Sequence, residues 1–446
     1  MTSVFYRGVT STYPKAVHAE GLYIFDENGK KYLDMSGGAA VSCVGHQHPR
    51  VLAALCDQIN SMAFAHTAFF SNAPQEQLAD ALAEKFSAGE LGETGAKVYF
   101  TSGGTEANET AFKIAWQYWR AKGRPSKQKI ISRHHSYHGN SYGALSISGN
   151  RPRRRVMGEI LLDWPRIDPC YAYRYQQAGE TAEDYGLRAA NILEDMIIRE
   201  GAENIAAFIA EPIVGASLGV VPAVPGYFRR IAEICHAHDI LLIADEIMCG
   251  TGRTGSFFAH QQEGFLPDIV TLAKGIAGGY QPLAATIVRA PLHDVFVTSG
   301  KGFDHGHTYV GHASACAAGC AVLKVIDEDN LLPNVNRMGD LIQQQLELAF
   351  GTHPHIGDIR GRGLFRGIEI VADKITKAPF PDEAQITKKL KDATMKHGLI
   401  CYPGGGSHQD NLGSNILLAP PFIAQPDHVD QLIDKLRLIF TEVLDA

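Results

Sequence analysis

Several features are scarce or missing in this 446-residue chain, and each absence closes off a class of function. The eight cysteines stand singly, and the nearest pair, Cys316 and Cys320, lies in an Ala-rich run that suits small core residues. No pair has the spacing of a zinc knuckle or a redox motif. Free thiols and a reducing compartment are expected, and a disulfide scaffold is excluded. No apolar run reaches transmembrane length. The opening segment, MTSVFYRGVTSTYPK, lacks the apolar centre of a signal peptide. A cytoplasmic location is therefore expected. Excess positive charge is missing too. The formal net charge is -7, which leaves no electrostatic footprint for nucleic acid or an anionic membrane. The basic cluster of Arg151, Arg153, Arg154 and Arg155 falls in a loop-like stretch, solvated or facing an anion. His134, His135 and His138 sit close together, as do His46 and His48, but no Asp, Glu or Cys nearby completes a metal shell. No metal is expected. Internal repeats and low-complexity segments are also absent.

A hydrophobic content of 45% with 20% charged residues describes a globular protein. The chain is too long for one ordinary core, so two domains are expected. Residues 60–325 alternate strand-like and helix-like segments. That predicts a large α/β domain with a mostly parallel sheet. Residues 1–59 and 326–446 are expected to form a smaller α+β domain. It contains a helix over Leu331 to Phe350, a single strand over Gly361 to Glu369 and a final amphipathic helix.

Two apolar runs organise the large domain. Ile240 to Ala244 ends in Asp245, and Ile269 to Ala273 ends in Lys274. Each reads as a strand buried on both faces. A charge at such a place is costly without a partner or a purpose. A desolvated lysine is pushed toward a neutral, nucleophilic amine. A buried Asp–Lys salt bridge is the bland alternative. Three further segments stand at predicted strand ends: Ser102 to Thr105, His134 to Gly139, and Glu211. In open α/β sheets that edge binds ligands. If the strands are parallel neighbours, all five segments share one pocket. Its contents would be a glycine-rich helix start for a phosphate, an aromatic ring for stacking, a buried carboxylate and a buried amine. Pyridoxal 5'-phosphate uses all four. The amine forms a Schiff base with the aldehyde, and the carboxylate keeps the ring nitrogen protonated. A dinucleotide would need G-x-G-x-x-G with a ribose-binding acid, and ATP a lysine directly after the glycine loop; neither is present.

The sequence resembles the class III pyridoxal-phosphate aminotransferases of fold type I over nearly its whole length. Leu33-Asp34, Gly45-His46-Gln47-His48-Pro49 and Thr101 to Glu109 carry the resemblance in the first part of the chain. Tyr137-His138-Gly139, Glu211-Pro212, Asp245-Glu246-Ile247 with Gly250 to Gly255, Lys274-Gly275, Thr308 to His312 and Ala419-Pro420-Pro421 complete it. The resemblance implies that Lys274 holds the cofactor and shuttles a proton, and that Asp245 pairs with the pyridinium nitrogen. It implies phosphate binding by Gly103, Gly104 and Thr105, ring stacking by Tyr137 and Ile247, and cofactor contacts from His138 and Glu211, with Glu211 on the Asp245 side. Thr308 would reach the phosphate of a neighbouring subunit, which implies a homodimer or a tetramer. Gly250 to Gly255 would form a loop at the pocket rim near that interface.

Departures from the family patterns narrow the substrate. Relatives acting on acetylornithine and similar amino acids often carry Arg after the His-Gly pair, where this chain has Asn140. Ornithine and 4-aminobutyrate enzymes often carry a Gln-Gly-Glu run where this chain has Val214-Gly215-Ala216. Alanine there resembles the ω-amino acid and amine aminotransferases that use pyruvate. Transfer of an amino group from such a donor to pyruvate, through pyridoxamine phosphate, is the expected reaction. A same-family aminomutase, epimerase or decarboxylase is the alternative, and a non-catalytic ligand-binding protein on this fold a second one. Arg151 to Arg155 or Arg366 are the arginines available to hold a substrate carboxylate.

Overall fold

The computed structural model describes residues 3–89, 91–408 and 412–445. Its centre is a seven-stranded sheet. In spatial order the strands are Lys97–Thr101, Ala284–Val288, Ile269–Leu272, Leu241–Asp245, Ile205–Ala210, Lys129–Arg133 and Arg166–Ile167. Leu241–Asp245 runs parallel to both its neighbours, and Lys129–Arg133 is parallel to both of its own. Ala284–Val288 alone is antiparallel to the strands beside it. The expected strand ends do gather on one edge, but not as consecutive parallel neighbours. The reversed strand stands between Lys97–Thr101 and the rest.

Both faces of this sheet are covered, which explains why its strands are continuous apolar runs rather than alternating ones. On one face, Ile130, Ile209, Ile243 and Ile269 pack with Phe112, Ala115 and Trp119 of the Gly104–Ala121 helix. On the other, Ile131, Phe208, Leu242 and Val270 join the main core with Leu193, Tyr227 and Ile231. The latter come from the helices Ala182–Glu200 and Tyr227–Ala237.

Two four-stranded sheets lie outside this layer. One combines Ala16–Glu20, Tyr23–Asp26 and Lys31–Asp34 with Leu399–Ile400, so it draws on both ends of the chain. The other is antiparallel and combines Ile356–Arg362, Phe365–Ile370, Ser414–Leu418 and Tyr402–Gly405. The expected single strand over Gly361 to Glu369 is in fact a hairpin. Arg362 pairs with Phe365, and Gly363 takes the left-handed φ of +51° that a two-residue turn requires. The arginine cluster is likewise not a loop. Arg151–Arg155 is a short helix, capped by Asn150 Oδ1 accepting from Arg153 N at 3.1 Å, with proline in its first turn. Gly250 to Thr254 is buried rather than lying at a rim, and only Gly255 is half-buried. The Arg253 guanidinium in its middle donates to Leu364 O at 3.2 Å and to Pro420 O at 2.5 Å. Among the described residues, no helix is long and apolar enough to cross a membrane.

Candidate active site

The Lys97–Thr101 strand passes through Ser102 into the Gly104–Ala121 helix. Gly103 is the N-cap and offers no side-chain cap, and the first backbone bond of the helix runs from Ala107 N to Gly103 O. The N–H groups of Gly104, Thr105 and Glu106 therefore lack helical partners and point out of the helix start. A Cβ on Gly104 would lie 2.8 Å from Ile247 Cδ1, so Ile247 rests directly on this turn. Gly139, at φ +142°, sits against Thr105, whose Oγ1 accepts from Asn140 N at 3.3 Å. Ile247 also packs with Ala107, Ala273 and Ala284. The glycine cradle, the Tyr137–Asn140 turn and the ends of the Asp245 and Lys274 strands are thus one site.

Asp245 is buried and heavily tethered. Its Oδ2 accepts from Asn108 Nδ2 at 2.8 Å and from His138 Nδ1 at 2.8 Å, and its Oδ1 accepts from Ile247 N at 3.1 Å. Asn108 is itself fully occupied. It also donates to His138 O at 2.7 Å and accepts from Thr271 Oγ1 at 2.8 Å. Glu211 does not touch Asp245. It supports the same side through the turn, accepting from Tyr137 N at 3.1 Å and from the buried Arg133 guanidinium at 3.2 Å, with His138 Nε2 4.0 Å away.

Lys274 follows the Ile269–Leu272 strand with a left-handed φ of +52°. Burial pushes its amine below the ordinary lysine range, and the charge of Arg153 adds to this while Asp245 opposes it. No ion pair within 4.0 Å joins its Nζ to Asp245. The two charges are not each other's partners. Tyr137 is half-buried, and the Arg153 guanidinium lies 4.6 Å from its ring centroid. Thr308 is elsewhere, on an exposed segment before the Ala313–Glu328 helix. Arg366 is spent on structure, donating to Gly363 O at 2.9 Å, Gly361 O at 3.1 Å and Gln343 Oε1 at 2.9 Å.

Sequence reasoning assigned no role to Asn108, Arg133 or Thr271, and named Arg153 only among the arginines available for a substrate carboxylate. Arg133 carried a weaker form of the signal at Asp245, a charge closing the short strand-like run Lys129 to Ser132, of which only Ile130 and Ile131 are apolar. The others show themselves only through contacts distant in sequence.

The donor set fits pyridoxal phosphate. A cradle of unpaired backbone N–H groups suits a phosphate. A tethered carboxylate and an unpaired amine stand on the same sheet edge, with an aromatic ring and an isoleucine nearby. On this sheet, that arrangement defines a pyridoxal-phosphate transferase of fold type I.

Comparison with known proteins makes the assignment specific. The family model for Aminotransferase class-III matches residues 5–440, and the chain belongs to that family. It is 39% identical to "Gamma aminobutyrate transaminase 3, chloroplastic" of Solanum lycopersicum over 94% of this chain and 78% of that protein. Among solved structures, an (S)-enantioselective omega-transaminase from Thermomicrobium roseum superposes with a TM-score of 0.90 at 37% identity, covering 98% of this chain and 94% of that one. The omega transaminase from Pseudomonas jessenii in complex with PMP gives 0.90 at 32% identity, covering 97% and 93%. The chain is an aminotransferase that uses pyridoxal phosphate and takes an amino donor and an oxo acid as substrates.

Proposed function

We propose that the amino donor is an ω-amino acid or a simple amine and that the acceptor is pyruvate. The observation that carries this reading is the lack of charge at two sequence positions. Asn140 and Ala216 stand where family members selective for other acids often have Arg and Glu. Solved omega-transaminases with this fold and relatives named for 4-aminobutyrate, itself an ω-amino acid, support the donor class.

When bound, the cofactor supplies an aldehyde carbon that takes up the amino group and a ring that accepts electrons from the bond being broken. The chain's residues do the rest. The first turn of the Gly104–Ala121 helix, with Gly103, Gly104 and Thr105, would hold the phosphate. Asp245, fixed by Asn108 and His138, would take the ring nitrogen. Tyr137 and Ile247 would pack on the ring, and Glu211 steadies the Tyr137–His138 turn. Lys274 Nζ would hold the aldehyde carbon and, as a free amine, take up and return the proton of the substrate carbon. Burial favours the neutral amine this step needs.

The active unit is a homodimer in which Thr308 serves the neighbouring subunit's phosphate. Exposed Tyr309, next to Thr308 and in ring contact with Phe64, leaves an apolar surface that supports this. Residues 60–325 form the cofactor domain and residues 1–59 with 326–446 the smaller one. This division is supported by the central sheet drawing only on residues within 97–288. The enzyme works in the cytoplasm.

A screen of amino donors against pyruvate and 2-oxoglutarate, followed by cofactor absorbance, tests the assignment. Conversion to the pyridoxamine form by ω-amino donors, reversed by pyruvate, is expected. Reversal by 2-oxoglutarate alone would overturn the acceptor. Conversion by α-amino acids alone would overturn the donor.

A further inference from the structure

Thr308 follows a stretch, residues 301–307, that belongs to no helix or strand but is strapped along the Gly104–Ala121 helix. Three helix residues at spacings of three and four, Thr110, Lys113 and Gln117, grip it from one face. Gln117 Nε2 donates to Asp304 O at 3.1 Å, and Asp304 N donates back to Gln117 Oε1 at 2.9 Å. Phe303 packs edge-on to Tyr99 and Phe296, with ring centroids 5.6 Å and 5.9 Å away. His305 stands at the centre of the strap. Its Nδ1 lies 3.2 Å from Lys113 Nζ and its Nε2 2.9 Å from Thr110 Oγ1, while the Tyr99 hydroxyl donates to its carbonyl at 3.3 Å. An ammonium only donates, so Nδ1 is the acceptor and the ring proton sits on Nε2. Nε2 then donates to Thr110 Oγ1, and the Thr110 hydroxyl donates to Glu106 O at 2.7 Å. Burial, with the charge of Lys113 second, pushes His305 down to about 4, which keeps the ring neutral as this chain of donors requires. The chain ends at Glu106, whose own N–H is one of those left open at the helix start.

We propose that His305 is a positioning residue for the phosphate site: it pins the strap to the phosphate helix of its own subunit and so sets Thr308 for the cofactor phosphate of the neighbouring subunit. This rests on the homodimer proposed above. The two ends of one chain of donors then address two different phosphates. Glu106 belongs to the cradle of one subunit, and Thr308 lies three residues beyond His305 toward the other. Thr308 needs such an anchor because it is exposed, and regular structure resumes only with the Ala313–Glu328 helix. Three residues span at most about 10 Å, so fixing His305 leaves Thr308 little freedom. An unanchored strap would have to be ordered at every binding event, and that loss of conformational entropy weakens affinity for the phosphate.

The test strips the full-length protein of cofactor and measures the Kd of pyridoxal phosphate and of pyridoxal, which lacks the phosphate. His305→Phe keeps the ring contacts and removes both polar ones. It should raise the Kd of pyridoxal phosphate about 3- to 10-fold, and Thr308→Val should raise it roughly 10- to 100-fold, the size of one contact to a charged group. Neither should move the Kd of pyridoxal by more than about 2-fold. The double variant should match Thr308→Val alone, because His305 acts only through that residue. His305→Gln offers one acceptor and one donor, as a neutral imidazole does, and should recover most of the loss. Lys113→Met, at a half-buried site, should show a smaller loss of the same kind, and decides the matter should His305→Phe fail to fold. Losses that multiply in the double variant, an equal loss with pyridoxal, or no recovery by Gln overturn the role of His305 while leaving Thr308 in place. Unchanged affinity in Thr308→Val overturns the neighbouring-subunit contact itself, and the role of His305 falls with it.

Discussion

Replacing Asn108 with leucine should destabilise the protein and loosen the site together. Leucine has nearly the same shape but no polar atoms. Asn108 is completely buried and makes three hydrogen bonds, to Asp245 Oδ2 at 2.8 Å, His138 O at 2.7 Å and Thr271 Oγ1 at 2.8 Å. Two neutral bonds at about 1 kcal/mol each and one to a carboxylate at about 2 kcal/mol give a loss of about 4 kcal/mol. Asp245 would keep only His138 and the Ile247 N–H, so cofactor affinity should fall as well. Thr271→Val alone removes one bond and leaves the Asn108 carbonyl unpaired, at about 1–2 kcal/mol. The double variant should cost less than the sum of the singles by about 1 kcal/mol, because the leucine and valine then leave no mutual partner unsatisfied. Urea unfolding of all four proteins, stripped and loaded with pyridoxal phosphate, measures these values. An Asn108→Leu cost below about 1 kcal/mol, or strictly additive singles, would refute the view that this side chain joins the two strand ends.

Three other outcomes can be checked on the same preparations. Lys274→Met should abolish transfer yet stabilise the stripped protein by about 1 kcal/mol, the usual gain from removing a buried, desolvated functional group. Because burial lowers the Lys274 pKa, the unfolded chain binds the extra proton between the folded pKa and about 10.4. The wild-type stability contribution therefore rises with pH through that window, and the advantage of Met should fade toward alkaline pH. Glu369→Leu should cost about 3–5 kcal/mol in thermal unfolding, since it strands charges that are now paired: Arg174 and Arg360 each donate to Glu369 at 2.7 Å in a buried cluster. A cost under about 1 kcal/mol would show that the arginines find other partners. Burial pushes buried His135 down to about 4. Its contribution is then complete above about pH 6.5 and is lost as pH falls toward 4. His135→Asn, which tolerates the left-handed φ of +58° there, should flatten that acid limb; an unchanged acid midpoint would assign the limb to other groups.

The legible parts of this fold were those written locally. A buried apolar run closed by one charge is a strand that delivers a functional group to the sheet edge, and this pattern marked Glu211, Asp245 and Lys274. The helix Leu331–Phe350 has the expected extent. The antiparallel strand was not legible. Its sequence, AATIV, is apolar on both faces, and nothing in five such residues states the direction of the strand beside them. The hairpin at Gly363 read as one strand because Arg362-Gly363-Leu364 carries a single turn residue between two β-like stretches. Asn108 lay in plain view in the helix that follows the phosphate cradle. Its role depends on His138, Asp245 and Thr271, all contributed by other segments, and periodicity cannot report such a meeting.

The same limit applies to Lys274, where strand periodicity alone points the wrong way. Side chains alternate between the faces of a strand. Along Leu241–Asp245, Ile243 lies in the core under the Gly104–Ala121 helix, and Asp245 continues on that side to reach Asn108. Along Ile269–Leu272, Ile269 and Thr271 share that side, whereas Val270 and Leu272 face the opposite core. Continued extension would place Lys274 with Leu272, away from Asp245. The chain leaves the strand first. Ala273 takes φ -159° and ψ -156°, and Lys274 turns to φ +52°. A left-handed lysine costs about 1–2 kcal/mol, and the turn that follows must hold it. Ile276 and Ala277 are fully buried, and the Cys43 thiol donates to Gly275 O at 3.2 Å. Glycine or asparagine would take this backbone more easily, but neither carries an amine. The strain accompanies a lysine at a strand end whose alternation faces away from Asp245, and the turn brings the amine within electrostatic range of Asp245 without pairing the two.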